Sequence, residues 1–488
     1  MKIIVIGSGF GGLSCAIRLQ AQGHDVTILE KREKLGGRAF VYEQDGFKFD
    51  GGPTIITAPW LIDEMFEAAG KRTSDYVELV KINPFYNIRW EDGTVFRYND
   101  DKANLLEQIR AIAPDETENY KRFALDLAEI YRVGFELIDK PFSTVWDMVK
   151  VVPEMIKLRS DRSVYKFASR YFRSEKLREA FSFHPLLIGG NPFKATSIYA
   201  MIHELEQKFG VWFAMGGTGA LVRALGDLFL DAGGEIFTEA EVEEILIENG
   251  KAKGVRMKTG ETLEADAVVS NADISWTYMN LVSKKFRVKY TDGYLKKLSY
   301  SMSLFVIYFG TDRKYENMAH HEILLGARYR ELLGDIFDRK VLAKDFSLYL
   351  HRPTATDASL APAGCDCWYV LSPVPNLGAD IDWNTAAEPY RDSIIAYLEK
   401  HYMPDLSKHI ISEHRIDPLH FEGTLNSYLG SAFSVEPTLL QSAYLRPHNQ
   451  SEDVANLYFV GAGTHPGAGL PGVMSSGKIV ANMIGKAV

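Results

Sequence analysis

Cysteine is scarce in this chain. Its 488 residues contain only Cys15, Cys365 and Cys367. An odd count with one C-x-C pair gives neither a disulfide framework nor the paired C-x-x-C spacing of a zinc site, and fits a reducing compartment. Long apolar runs are missing: nothing reaches the ~18 residues of a membrane-spanning helix. Ahead of the apolar Ile3–Ile6 there is no ordered series of charged, apolar and small-residue regions like that of a secretory leader, so a cytoplasmic location is expected. Positive charge is also short. A net charge of −9 argues against a general nucleic-acid binder, which must neutralise phosphates. There is no internal repeat, no low-complexity tract, no nucleophile elbow and no second dinucleotide fingerprint. The His320-His321 pair has no partner pattern in the sequence that would support a metal, so none is expected.

The composition is otherwise that of a folded globular protein, with 46% hydrophobic and 24% charged residues. The length allows two or three domains.

The N-terminus carries the first chemical signal. Lys2–Ile6 reads as a buried parallel strand. Gly7, Gly9 and Gly12 then form G-x-G-x-x-G, and a helix opens with Leu13, Ile17 and Leu19 apolar. A second strand, Asp25 to Glu30, ends in an acid 18 residues after Gly12. Gly7 permits the tight turn, Gly9 lets backbone approach a pyrophosphate, and Gly12 lets helix and strand pack closely. The helix N-terminus offers free N–H groups to phosphate, and Glu30 can accept from both ribose hydroxyls. The strand–turn–helix context raises this motif above a lone glycine pattern.

The C-terminus carries a similar device. In Asn456–Val473 an apolar run empties into a loop with five glycines and two prolines, and a helix-like segment follows from Met474 to Val488. Between the ends, Lys34-Leu35-Gly36-Gly37-Arg38-Ala39 and Phe49–Thr54 (FDGGPT) are features that an NAD dehydrogenase does not need.

This order, G-x-G-x-x-G, acid, G-G-R, resembles the two-dinucleotide-binding-domain flavoproteins, which include amine oxidases and carotenoid desaturases. The resemblance implies FAD as cofactor. It puts Gly37 and Arg38 near pyrophosphate and flavin, with Gly52 beside them and a backbone contact to adenine near Val242. It also implies that the last segment folds back onto the first, bringing Gly461, Gly463, Gly469 and Val473 to the ribityl chain and flavin. Many members carry an acid just after the glycine of the last strand. Ala462 stands there in this chain, so a ribitol contact must come from elsewhere.

The implied fold is α/β: a Rossmann-like FAD-binding domain with a β-sheet substrate domain and a helical, membrane-facing insertion. The FAD domain is expected in three pieces, residues 1–80, 214–280 and 451–488. The strand-rich substrate domain takes 81–114 and 281–450. Residues 115–213 form the helical insertion. Within it, Lys140–Arg178 holds ten Lys/Arg against four Asp/Glu, in an otherwise acidic chain. Phe142, Val145, Trp146, Val149, Val152 and Ile156 recur at spacings of three and four, one face of a helix. Asp147, Lys150, Glu154 and Lys157 fall mostly on the other. Such a helix suits an anionic bilayer surface; packing on the protein's own core is the competing reading.

Longer stretches narrow the resemblance. Phe183–Pro192, Gly210–Phe213, Ser431–Pro437, Arg446–Asn449 and Gly461–Val473 are similar to the bacterial phytoene desaturases, over essentially the whole chain. That family implies conversion of phytoene, through partly desaturated carotenes, toward lycopene. One carbon loses hydride to flavin and its neighbour loses a proton, inside an apolar tunnel. The implied partners are phytoene and those carotenes, a membrane surface that delivers them, and quinone or oxygen as electron acceptor. Peripheral association with the cell membrane follows from the substrate's solubility. Asp147 and Lys150 fall where the family suggests a catalytic acid–base pair, although Lys150 replaces an expected arginine; a solvated helix charge is the other reading of Asp147. A carotenoid isomerase or ketolase, and a prenyl-binding escort without flavin chemistry, remain alternatives. The oligomeric state stays open, a homo-oligomer included.

Overall fold

The computed structural model describes residues 1–487. Its organising element is a five-stranded parallel sheet in the order Leu457–Phe459, Ala267–Ser270, Lys2–Ile6, Asp25–Leu29, Glu235–Phe237. The central strand is buried from Ile3 to Ile6, because helices cover one face and a three-stranded antiparallel sheet covers the other. A strand buried on both sides must be apolar throughout, which is why KIIVI does not alternate. The sheet takes strands from the start, the middle and the end of the chain.

The chain ends meet through helices. Phe10–Ala21 packs against Leu470–Ile484 at close range. Gly477 makes this possible: a Cβ there would lie 2.7 Å from the Cys15 nitrogen and 2.9 Å from the Gly11 oxygen. The last helix begins at Leu470, four residues earlier than the sequence suggests, with Pro471 in its first turn. Val488 lies outside the described residues.

A seven-stranded mixed sheet forms the second body, in the order Ile410–Ile416, Ser303–Thr311, Asp366–Val374, Leu348–His351, His321–Leu325, Tyr86–Trp90, Val95–Tyr98. Ser303–Thr311 is buried at every residue. Its alternate side chains Phe305, Ile307 and Phe309 pack under the Trp383–His401 helix. Leu304, Val306 and Tyr308 point to the opposite face, which borders the cavity described below. Leu79–Ile82 pairs instead with Val211–Ala214 in a separate ribbon, so the expected boundaries at 80/81 and 213/214 both fall inside paired strands. The run from Glu235 to Gly250 divides into Glu235–Phe237 in the parallel sheet and Val242–Glu248 in the antiparallel one. It breaks where Glu239 adopts φ +53° and its N–H bonds the Arg32 carbonyl.

Residues 115–213 are mainly helical, with Thr117–Ile138, Val145–Lys157 and Met201–Phe209 the longest elements. Among the described residues no helix is long and apolar enough to cross a membrane.

Candidate functional site

One cavity of about 530 Å³ runs between the parallel sheet, the seven-stranded sheet and the helical region. At one end it is lined by Gly7, Gly9, Glu30, Gly37, Arg38, Gly52, Val242, Gly461, Gly469 and Val473. These are ten of the twelve positions expected to meet a dinucleotide. Gly12 and Gly463 stand behind the wall. Gly12 lies where the first helix crosses the Gly7 backbone, as a packing glycine should. Gly463 packs on Ile274 and Ser434, where a Cβ would lie 2.8 Å from each.

The phosphate end has the form a pyrophosphate needs. Gly7 takes φ +91° and donates its N–H to the Leu29 carbonyl at 2.8 Å. Gly9 is the N-cap of the Phe10–Ala21 helix, and no side chain caps it. The first-turn amides are therefore free for an anion. A Cβ at Gly9 would lie 2.7 Å from the Asn271 amide nitrogen. Asn271, which follows strand Ala267–Ser270, touches the space beside Gly7, Gly9, Gly11 and Gly461. Nothing in the sequence singled out its side chain.

Glu30 is buried at the end of its strand. Its Oε2 accepts from the Ser8 N–H at 2.9 Å and the Ser8 hydroxyl at 2.6 Å, and its Oε1 accepts from the Arg32 N–H at 3.0 Å. A carboxylate oxygen offers two lone pairs, so Oε1 keeps one for a ribose hydroxyl. Arg38 reaches the Ser427 hydroxyl at 2.6 Å, while its buried Nε has no partner. Burial lowers the Arg38 pKa, partly offset by the Asp273 charge. Asp273 is itself raised by burial, against bonds from Ser434 and the backbone of Trp276. An unpartnered guanidinium nitrogen beside a phosphate-ready helix end fits a bound anionic dinucleotide.

The C-terminal loop is held from below by Arg446. Its buried guanidinium donates to the carbonyls of Thr464 (3.0 Å), Gln441 (3.1 Å), Val435 (2.9 Å) and Ala462 (2.6 Å). Asn449 adds a bond to the His465 carbonyl at 2.8 Å. The Arg446–Asn449 stretch thus ties down the loop, a role invisible in the motif alone. The loop delivers the N-terminus of the Leu470–Ile484 helix to the cavity, where its partial positive charge can stabilise an anionic ring system. The His465 ring meets Phe142 edge-to-face at 5.0 Å, and neither ring nitrogen has a partner. Burial, with Arg446 nearby, lowers its pKa to about 4, so it is neutral at pH 7.

Away from the glycine loops the cavity wall becomes apolar, with Leu304, Val306, Ile323, Leu325 and Leu371 from the sheet, Met302 just ahead of it, and Leu186, Ile188, Met201 and Leu205 from the helical region. Polar groups interrupt it in places. Thr54 bonds the hydroxyls of Tyr349 (2.9 Å) and Tyr369 (2.8 Å). A second buried group, Glu206, also borders the cavity and bonds Tyr86 and His184. His184 lies in the Phe183–Pro192 stretch quoted above, whereas Glu206 and Tyr86 carried no sequence signal.

The structure does not bring Asp147 or Lys150 to this cavity. Asp147 is the N3 residue of the Val145–Lys157 helix, and its carboxylate bonds the Thr144 N–H (2.9 Å) and hydroxyl (2.8 Å) in a capping box. These bonds lower its pKa. Lys150 is exposed. The pair is corrected from a cavity acid–base pair to a helix cap and a surface cation. The helix itself is apolar on two sides. Met148, Val151 and Met155 line the cavity. Trp146 and Ile156, 72% and 70% exposed, face outward with Val145, Val149 and Val152. Phe142 does not share that outward stripe; it precedes the helix and is buried.

A dinucleotide cradle opening into an apolar cavity fits a cofactor-dependent enzyme. The comparisons with known proteins agree. The family model "flavin containing amine oxidoreductase" matches residues 10–484, and the chain belongs to that family. It is 48% identical over 482 residues to a lycopene-forming phytoene desaturase of Pantoea ananas, covering 98% of each. It is 44% identical over 490 residues to a neurosporene-forming phytoene desaturase of Rhodobacter capsulatus, covering 99% of this chain and 94% of the relative. Among solved structures, cyclohexylamine oxidase of Brevibacterium oxydans superposes with TM-score 0.62 at 16% identity, over 99% of this chain and 98% of that one. An oxidoreductase of Methanosarcina mazei gives 0.65 at 19% identity, over 99% and 100%. The cofactor of the family is a flavin, and the cradle fits FAD.

Proposed function

We propose that this protein is an FAD-dependent desaturase that converts phytoene toward lycopene in carotenoid biosynthesis. One observation carries the reading: near full-length similarity to phytoene desaturases in a chain whose dinucleotide cradle opens into an apolar tunnel. When bound, FAD would supply hydride acceptance. The protein's own residues do the rest. Gly7, Gly9, Glu30 and Arg38 hold the dinucleotide, the Gly469–Val473 turn sets a positive helix end at its far side, and the tunnel wall aligns the hydrocarbon and excludes water. With Asp147 engaged in a helix cap, proton loss is not assigned to it. An allylic cation beside a polyene is a strong acid and needs only a weak base.

Membrane loading is part of the proposal. The Val145–Lys157 helix has tunnel on one side and exposed Trp146 and Ile156 on the other, within the basic Lys140–Arg178 segment. That supports docking on an anionic bilayer, with residues 115–213 as the route for phytoene. Quinone or oxygen would reoxidise the flavin.

The test uses purified holoprotein with phytoene-loaded anionic liposomes. Under argon, phytoene should bleach the flavin once, and quinone or air should restart turnover, with chromatography counting the desaturations. Bleaching by an amine but not by phytoene would overturn the reading in favour of an amine oxidase. A colourless protein that binds lipid without FAD would favour the escort alternative. Trp146→Ser should reduce liposome co-sedimentation and leave FAD affinity unchanged; unchanged sedimentation would return the helix to an ordinary surface role.

A further inference from the structure

The seven-stranded sheet gathers three histidines that the sequence keeps apart. His321 and His351 face each other in register on neighbouring antiparallel strands, and His320 precedes the first of them. All three are buried, and one nitrogen from each lies within 4.8 Å of one from each of the others. We propose that His320, His321 and His351 form a binding site for one imidazole-seeking d10 cation, zinc(II) or copper(I).

Two observations carry this. First, every ring is hydrogen-bonded through Nδ1 and unpartnered through Nε2. His320 Nδ1 meets the Thr356 hydroxyl at 2.6 Å, His321 Nδ1 meets the Tyr349 hydroxyl at 2.7 Å, and the two Nδ1 atoms of His321 and His351 lie 3.3 Å apart. The Nε2 atoms of all three are buried without a partner. Three such orphans in one place are costly unless something fills them. A ring fixed through one nitrogen with the other free is also how metal-binding histidines are oriented.

Second, the scale is right. Zn–N bonds of about 2.0–2.1 Å in a tetrahedron put ligand nitrogens about 3.3–3.4 Å apart. The 4.8 Å limit for the set leaves each pair about 1.4–1.5 Å at most to close, a small ring movement.

The site would act as a brace. It would cross-link the His321–Leu325 and Leu348–His351 strands and, through the Tyr349 hydroxyl, steady the Thr54–Tyr349–Tyr369 patch on the cavity wall.

The test uses untagged, full-length holoprotein. It is stripped by chelator dialysis and titrated separately with zinc(II) and, under argon with a reductant, copper(I). Metal content is read by elemental analysis, with cobalt(II) as a spectroscopic probe. One equivalent of zinc or copper should bind, raise Tm, and give the intense visible bands of low-symmetry cobalt. His351→Gln and His320→Ala should lose the equivalent and the Tm rise while keeping the FAD spectrum, which shows that they fold. The arm that binds at the lower free metal concentration names the ion. Substoichiometric binding in the wild type, or the same equivalent retained in both variants, would overturn the proposal and leave a hydrogen-bonded histidine cluster.

Discussion

Substituting Gly477 by alanine puts two known effects in opposition. Gly477 lies inside the Leu470–Ile484 helix, where alanine is intrinsically favoured by about 1 kcal/mol. An exposed helix would gain that amount. Here the added methyl would stand 2.7 Å from the Cys15 nitrogen, 2.9 Å from the Gly11 oxygen and 2.9 Å from the Ser14 Cβ. Two of these are backbone atoms of the opposing helix, so no flexible side chain can yield. Restoring ordinary contact needs the helices to part by about 0.7 Å, and overpacking of this kind costs typically about 1–3 kcal/mol. The collision therefore outweighs the propensity gain, and the protein should be destabilised. The last helix also carries Gly469–Val473 to the cavity. If the apoprotein relaxes by shifting this helix, FAD must pull it back, and about 1–2 kcal/mol of strain weakens binding about 5- to 30-fold. Urea unfolding and FAD fluorescence titration measure the two effects. Gly293→Ala is the control, since a Cβ there meets nothing within 4 Å. A Gly477→Ala protein as stable as wild type with unchanged FAD affinity would refute the account of how the two chain ends are joined.

Gly9→Val should abolish FAD binding in a titration while far-UV circular dichroism stays native, since the added side chain enters the phosphate cradle; wild-type affinity would remove that cradle. Arg446→Met should leave four buried carbonyls short of a donor and cost at least about 3 kcal/mol in unfolding free energy, with Arg446→Lys in between; a Met variant of wild-type stability would mean the loop is held otherwise. Burial pushes the Glu436 carboxyl up to about 7, against about 4.3 when unfolded. The folded state then binds this proton more tightly, so its stabilisation is complete below about pH 4.3 and lost as pH rises through 7. Glu436→Gln, a mimic of the protonated form, should gain stability over wild type across that window, levelling above it at about 4 kcal/mol; parallel urea midpoints at pH 5 and pH 8 would contradict this.

Much of the site was legible because it is built from backbone. A turn at φ +91° for Gly7, an uncapped helix start at Gly9 and a strand-ending acid at Glu30 are local requirements, so they leave a local trace. The same holds for Gly37, Arg38, Gly52 and the closing glycine loop, whose order along the chain carries the family resemblance. Asp147 was misplaced because helical spacing says which residues share a face, not what that face meets. Its carboxylate found a nearer donor in Thr144, three residues back. Phe142 was grouped with the outward stripe because periodicity was extended past the helix start at Val145. Asn271, Glu206 and Tyr86 carried no signal: each is an ordinary residue type whose role depends on distant neighbours.

By itself the sequence determined the fold class, the dinucleotide cradle and the expectation of a flavin, since strand, glycine turn and helix follow from short-range sterics and hydrogen bonding. It also implied the substrate through stretches spread over the whole chain. The tertiary structure alone decided which side chains share the cavity, that Arg446 holds the last loop, and that His351 joins His320 and His321. Those outcomes depend on the register of strands far apart in the chain. Register is set by which faces become buried when two sheets and a helical layer close around one cavity, and no local pattern of residues records that.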